Sequence, residues 1–514
     1  MGNLIVYLST TVCLFLISFL IRLFEKLWWT PIRIQSMLRS QGVSGPAYRF
    51  FHGNTNEIIS LENNASKTPA DLSHHLLVPT LLPHFHHWIK LYGKNFLTWH
   101  GPRAYFVVTE LDLIKEILVT DKHGTFLKQE PDGYAKKLFG DGTVTSNGEK
   151  WSKMHKLANH AFHSESLKGM IPAMIASTEI MLEKWKYNDG KEIEVFEEVK
   201  ILTSEIISRT AFGSSYVEGR HIFDMLVRLI VVMVKNKHNV TIPGTGNLLK
   251  TSDDIETNKL EYEIHKRFIN LIKKREDEAI TGQVDGFRSD FLGLLLKSHH
   301  DNGIAKKITV NELIDECKTF YVAGHETTSS LLTWILLLLA IYPDWQDKAR
   351  QEVLEVFGHQ HPCSQGLTKL KIVSMIINET LRLYPPVVNI RRDTARQVKI
   401  GKLILPANIL IEIPILAIHH NPEIWGQDAP EFKPERFAEG IAKATNNNVA
   451  AYLPFALGPR NCVGSNFAIT ETKIALSMIL QRHSFSLLKS YVHSPVSLLT
   501  MYPQHGLPLI VQNL

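Results

Sequence analysis

Phe455-Ala-Leu-Gly458-Pro-Arg460-Asn-Cys462-Val-Gly464 is the stretch on which the reading of this chain turns. It places a lone cysteine between two glycines, behind an arginine and an aromatic residue, just before a helix predicted from about Asn466 to Arg482. The free N–H groups and positive dipole end of that helix favour a thiolate at Cys462. Gly458 and Gly464 let the backbone turn tightly and come close to a bound group. A lone cysteine is ordinarily a small buried hydrophobe. Its setting beside an arginine and at the start of a predicted helix, where a thiolate is stabilised, opens the reading of Cys462 as a ligand.

Outward from this loop, composition sets bounds. The chain has 514 residues, 44% apolar and 21% charged, a globular composition with material for a large core. Fifty-six basic against fifty-one acidic side chains leave a net charge of +5, too mild for a nucleic-acid footprint, and no nucleic-acid partner is expected. Cys13, Cys317, Cys363 and Cys462 are scattered without C-x-x-C spacing. That argues against a disulfide framework or a zinc site and suits a reducing compartment. The histidine pairs His86-His87, His299-His300 and His419-His420 argue little for a metal, because adjacent helical residues point apart.

No charged side chain occurs from Leu4 to Ile21. Eighteen residues at about 1.5 Å each nearly cover a hydrocarbon core of roughly 30 Å. Arg22, Lys26, Arg33 and Arg39 follow against Glu25 alone, so a single-pass anchor is expected, with the bulk of the chain on the cytoplasmic face. Trp28 and Trp29 fall at the interface. The alternative is a cleaved signal peptide, whose charges precede the apolar run and whose cleavage site follows it with small residues. Sequons at Asn64, Asn239 and Asn378 read as chance matches. Pro31 and Gly42-Val43-Ser44-Gly45-Pro46 read as a stiff hinge, 54–75 as a polar surface loop, and Val107 and Val108 as a short strand.

Thr309 and Glu312 form a capping-box pattern and Pro343 marks a far end, so a core helix of about thirty-three residues, roughly 50 Å long, is predicted between them. Its apolar tail, Leu331 to Ile341, is too short for a second span. Midway lies Ala323-Gly324-His325-Glu326-Thr327-Thr328. Gly324 removes side-chain bulk, and an acid beside an alcohol suits proton delivery. The ordinary alternative has Thr327 bonding back to the carbonyl one turn earlier. Glu379-Thr-Leu-Arg382 sets opposite charges on one helix face, as an exposed helix salt bridge also would, and Pro434-Glu435-Arg436-Phe437 follows further along the chain.

These patterns, in this order, resemble the cytochrome P450 superfamily over almost the whole chain. Trp29-Thr-Pro31-Ile-Arg33-Ile, Tyr321-Val-Ala-Gly-His-Glu-Thr-Thr, Trp425-Gly-Gln-Asp428-Ala and Pro503-Gln-His-Gly506 are similar to a plant clan that includes secologanin synthase and hydroxylases of hormones and triterpenoids. The resemblance implies a mainly α fold with a small β-rich part, preceded by one N-terminal transmembrane helix in the endoplasmic reticulum membrane. The divisions expected are an anchor over 1–27, a proline-rich hinge over 28–50 and a haem-thiolate monooxygenase domain over 51–514. It implies haem b (iron protoporphyrin IX) ligated by Cys462, with Phe455 shielding the sulfur and Gly458 and Gly464 letting the backbone approach. Arg460, Trp151, His155 and Arg392, or its neighbour Arg391, are implied at the propionates, His155 standing where the family usually has arginine.

By the same resemblance, Ala323 and Gly324 leave room for dioxygen and substrate, Thr327 bonds dioxygen, and Glu326 relays protons. Glu379, Arg382 and Arg436 form a structural ion network. Electrons are expected from NADPH through a separate NADPH–cytochrome reductase, for which Lys150, Lys153 and Lys156 offer a docking face or merely a solvated one. The expected reaction is hydroxylation of a small apolar molecule (terpenoid, hormone-like or foreign compound) with dioxygen. The segment 121–147 is expected to line the pocket. Rearrangement of hydroperoxides without dioxygen and simple ligand binding are the rival activities. His160, Asn408 and Asn421 depart from the clan's usual Pro, Gly and Asp.

Overall fold

A proline within a helix leaves the carbonyl one turn earlier without its N–H partner, and Pro31 does this to Leu27. The computed structural model describes residues 2–67, 69–120, 124–131, 133–240, 250–282, 286–301 and 307–514. In it, helix α1 (Gly2–Phe24) passes through a π-helical turn, Glu25–Trp29, into α2 (Thr30–Arg39). The Tyr48 hydroxyl donates to the stranded Leu27 carbonyl, and Tyr48 N–H donates to Gln35 Oε1 at 2.7 Å. The segment expected as a hinge over 28–50 is therefore helical as far as Arg39. Leu27, Pro31, Leu38, Val43 and Tyr48, all buried, fasten it to the globular part.

The apolar window in the helix Leu4–Arg39 is 0% buried, an apolar surface that water does not favour and a bilayer does. It is a candidate membrane span. A second helix passes the same length and hydropathy test, but 72% of its window is buried inside the protein, as expected of a core helix.

The stretch expected as a loop over 54–75 contains helix α3 (Thr55–Ala65). Its buried face is only Thr55 and Ile58, too narrow for a helical period to show in sequence. Strands β1 (Asn95–His100), β2 (Arg103–Val108), β3 (Phe126–Leu127), β4 (Ile390–Thr394) and β5 (Leu410–Ile413) form a five-stranded sheet in the order β1-β2-β5-β4-β3. Only the β2–β5 pair is parallel.

The helices that build the site are α4 (Gly148–Ala161), α5 (Val195–Phe212), α6 (Tyr216–Lys235), α7 (Val310–Ile341), α8 (Lys371–Leu383) and α9 (Ser465–Arg482). The capping box is present: Thr309 Oγ1 accepts the Glu312 N–H at 3.2 Å, and the Glu312 carboxylate accepts the Thr309 N–H at 2.8 Å. α7 packs against α5, α8 and α9. Every side chain from Ile335 to Leu339 is 0% exposed, which is why this stretch is apolar all round rather than along one stripe.

Candidate active site

Cys462 ends a loop that folds back on itself. Its N–H donates to Phe455 O at 2.9 Å, while Ala456 and Gly458 sit at left-handed φ values of +59° and +75°. Such a conformation at a non-glycine residue survives only where its surroundings impose it. At Gly458 a Cβ would stand 2.0 Å from Leu118 O, so glycine is required by space as well as by φ. Gly464 differs from expectation. Its φ is −92° at the start of α9, no strained turn is needed there, and its Cβ position faces open space.

The Cys462 thiol is accessible, yet burial pushes its pKa up, with the Gly464 N–H and Lys128 pulling it back. An accessible sulfur that is also desolvated lies on an interior space rather than on the outer surface. Lys128, which the sequence analysis missed, belongs to the same cluster. Burial, then the positive charges of Arg392 and Arg460, push its ammonium down to about 7, against the pull of Cys462.

Each cation has its own attachment. Arg460 donates to Ser146 O at 2.7 Å and Asn147 Oδ1 at 3.0 Å, and its guanidinium lies 3.9 Å over the Trp151 ring. Burial brings it down to about 10. Arg392, 2% exposed on β4, donates to Arg391 O at 2.8 Å. Arg391 instead pairs with Glu412, Nε to Oε1 at 2.9 Å, and that carboxylate raises it further. Asn159 Nδ2 donates to His155 Nδ1 at 3.1 Å, which leaves the hydrogen on Nε2. That nitrogen is buried without a partner.

α7 carries an accessible patch of its own. From Glu316 to Leu339 only Ala323, Gly324, Glu326 and Thr327 escape full burial, a spacing that puts all four on one face. Clustered cations beside a thiol, a buried N–H without an acceptor and an accessible patch on a core helix describe a lining. They fit a large, flat, dianionic group with a metal for the sulfur, as haem is.

The family model for cytochrome P450 matches residues 75–504. The chain is a cytochrome P450. It is 53% identical over 509 residues to "Cytochrome P450 CYP749A22" of Panax ginseng, covering 99% of this chain and 97% of that protein. It is 40% identical to "Cytochrome P450 734A1" of Arabidopsis thaliana, over 95% and 93% of the two chains. It is 41% identical to "11-oxo-beta-amyrin 30-oxidase" of Medicago truncatula, over 98% of each. Membership makes the protein a haem-binding monooxygenase, and these relatives are plant proteins.

Within this P450, the Thr327 hydroxyl donates to Ala323 O at 2.8 Å, the local bond weighed above as the ordinary alternative. The bond uses the hydroxyl hydrogen and leaves both oxygen lone pairs to the accessible side. Gly324 departs from expectation: a Cβ there would meet the Ile207 side chain of α5 at 2.7 Å, so its smallness serves helix packing. Burial alone would raise the Glu326 carboxyl, but hydrogen bonds from His325 and Thr500 and the charges of His325 and Lys200 bring it below the usual range.

In the P450 ion network Glu379 and Arg382 are fully buried and Arg436 is partly so. Glu379 grips Arg382 bidentately at 2.7 Å for both contacts. Arg436 Nε stands 3.6 Å from Glu379 Oε1. The departures from the clan are absorbed locally. Asn408 adopts φ +62°, a conformation that glycine favours and asparagine tolerates. Asn421 caps the next helix by accepting the Glu423 N–H at 3.0 Å.

Of the histidine pairs, His419 and His420 are tied into the core, His419 Nε2 accepting the Leu453 N–H and His420 bonding Leu383 O. His299 and His300 come together with Glu276, their ligating atoms within 4.8 Å. His299 there bonds Ile308 O, and His300 bonds Glu276. The expected pocket segment 121–147 includes residues 121–123 and 132, which lie outside those described.

Proposed function

We propose that this P450 hydroxylates an unactivated carbon of a small apolar molecule, of the terpenoid or hormone-like kind, at the cytoplasmic face of the endoplasmic reticulum. Electrons come from NADPH through a separate NADPH–cytochrome reductase. The observation that carries the proposal is the Cys462 loop, strained at Ala456 and closed by the Cys462 N–H, with cations gathered around an accessible sulfur. The substrate class rests on the relatives, two of them named as 11-oxo-beta-amyrin 30-oxidases. The orientation rests on Arg22, Lys26, Arg33 and Arg39 after the anchor.

Cys462 would bind the iron, and haem held by a thiolate supplies the activation of dioxygen. The chain's residues do the rest. Arg460, Arg392, Lys128 and the free His155 N–H would hold the two carboxylates, and Trp151 braces Arg460 from below. Phe455, whose carbonyl takes the Cys462 N–H, would shield the sulfur. Ala323 leaves space for the reacting carbon. Thr327 presents its lone pairs to that space, and Glu326 passes protons into it.

Thr327→Ala tests the assignment. With the haem spectrum unchanged, the fraction of NADPH electrons recovered in product should fall by about a hundredfold, the low end for a positioned acid–base group. NADPH consumption itself should continue. Unchanged oxidation rate and coupling would remove Thr327 from the proton path.

A further inference from the structure

His325, between Gly324 and Glu326 in α7, is 2% exposed. Its Nδ1 lies 2.6 Å from Tyr321 O. A carbonyl can only accept, so Nδ1 carries a hydrogen, and a neutral ring would then present a bare lone pair at Nε2. That nitrogen stands 3.3 Å from Glu326 Oε1, and an ionised carboxylate also offers only lone pairs. Two acceptors facing at this distance away from bulk water repel unless a proton lies between them.

Neither partner is placed to turn away. Thr500 Oγ1 donates to Glu326 Oε2 at 3.1 Å. Phe223 of α6 meets the His325 ring edge-on, centroids 4.9 Å apart, and Thr203 of α5 bonds the His325 carbonyl at 3.3 Å.

We infer that His325 and Glu326 jointly hold one proton, on Nε2 or Oε1, and that this pair is the proton donor to the space beside Thr327. The inference rests on the reading that Glu326 passes protons during the reaction. In the step, the N–H or O–H bond of the pair breaks and an O–H bond forms on a water or hydroxyl at the accessible side of Glu326. No electrons leave the pair. What remains is a neutral imidazole facing a carboxylate, and their repulsion favours uptake of one proton from solvent. Among the described residues, the charged and titratable groups of other elements that act on Glu326 are Lys200 of α5 and Tyr502 of the strand Met501–Pro503. Lys200 is itself bound to Glu197 at 3.0 Å near the surface and marks the side nearest solvent.

The test uses the full-length holoenzyme labelled with 15N at the histidine rings, the His325 signals being those lost in His325→Gln. The wild type should show a protonated Nε2 or, if the proton rests on Oε1, a protonated-carboxyl infrared band that Glu326→Gln removes. In Glu326→Gln the Nε2 should become a lone-pair nitrogen accepting from the amide. A bare Nε2 and no such band in the wild type would overturn the inference. Coupling on the same proteins tests the reading beneath it. Wild-type coupling should decline as rising pH empties the pair, whereas His325→Gln should be several-fold lower and flat with pH. Unchanged coupling in Glu326→Gln would sink the proton role of Glu326 even with the shared proton present. Loss of coupling there without any shared proton would sink only the pair.

Discussion

Glu379→Ala should cost about 3–5 kcal/mol, the usual penalty for leaving one member of a buried ion pair uncompensated. Glu379 and Arg382 are both 0% exposed, so water cannot replace the lost carboxylate. Arg382 cannot swing out either, because its guanidinium also donates to His419 O, Ala429 O and Glu431 O at 3.0, 2.7 and 3.1 Å. The same carboxylate accepts the Lys433 N–H at 2.9 Å, so the mutation also removes one of the bonds that tie the 425–437 loop to α8. Against a total stability of about 5–15 kcal/mol for a typical domain, the variant should unfold at far lower denaturant and retain little haem. Glu379→Gln, which keeps a hydrogen-bond acceptor, should fall between. Denaturant midpoints of holoenzyme check this, and a midpoint for Glu379→Ala within error of the wild type would mean the network carries no structural load.

Gly458→Ala should be the most damaging single-methyl change in the Cys loop. The residue sits at φ +75°, which costs a residue bearing Cβ about 1–2 kcal/mol. The new methyl would also stand 2.0 Å from Leu118 O and 2.9 Å from Leu118 C. Backbone cannot yield as a side chain can, and overpacking typically adds about 1–3 kcal/mol. Gly464→Ala is the control, with φ −92° and no atom near its Cβ position. Gly458→Ala should lose stability with or without haem. Gly464→Ala should leave the haem-free protein intact and weaken only haem retention. Equal thermal stability of the two haem-free variants would contradict the role given to Gly458.

Much of this was legible because the chemistry is written in short, spaced motifs. The Cys loop, the E-x-x-R pair and the capped central helix each need particular residue types at particular separations. What was not legible depends on contacts between distant segments. Lys128 lies in a stretch without period, and only folding sets it beside Arg392 and Arg460. Gly324 looked like room for a ligand, but Ile207, far away in sequence, fills the space a side chain would need. The helical continuation through Pro31 depends on Tyr48, whose hydroxyl takes the carbonyl that the proline leaves free. The His325 tautomer is invisible in sequence, because it follows from a 2.6 Å contact with Tyr321 O.

The central claim is that Cys462 binds haem iron as a thiolate, and the carbon-monoxide difference spectrum of the reduced protein tests it most directly. The wild type should show the strongly red-shifted Soret band of thiolate ligation, and Cys462→Ala should lack it in folded protein. A wild-type haem spectrum without that shift, in protein that is well folded, would contradict the account at its root.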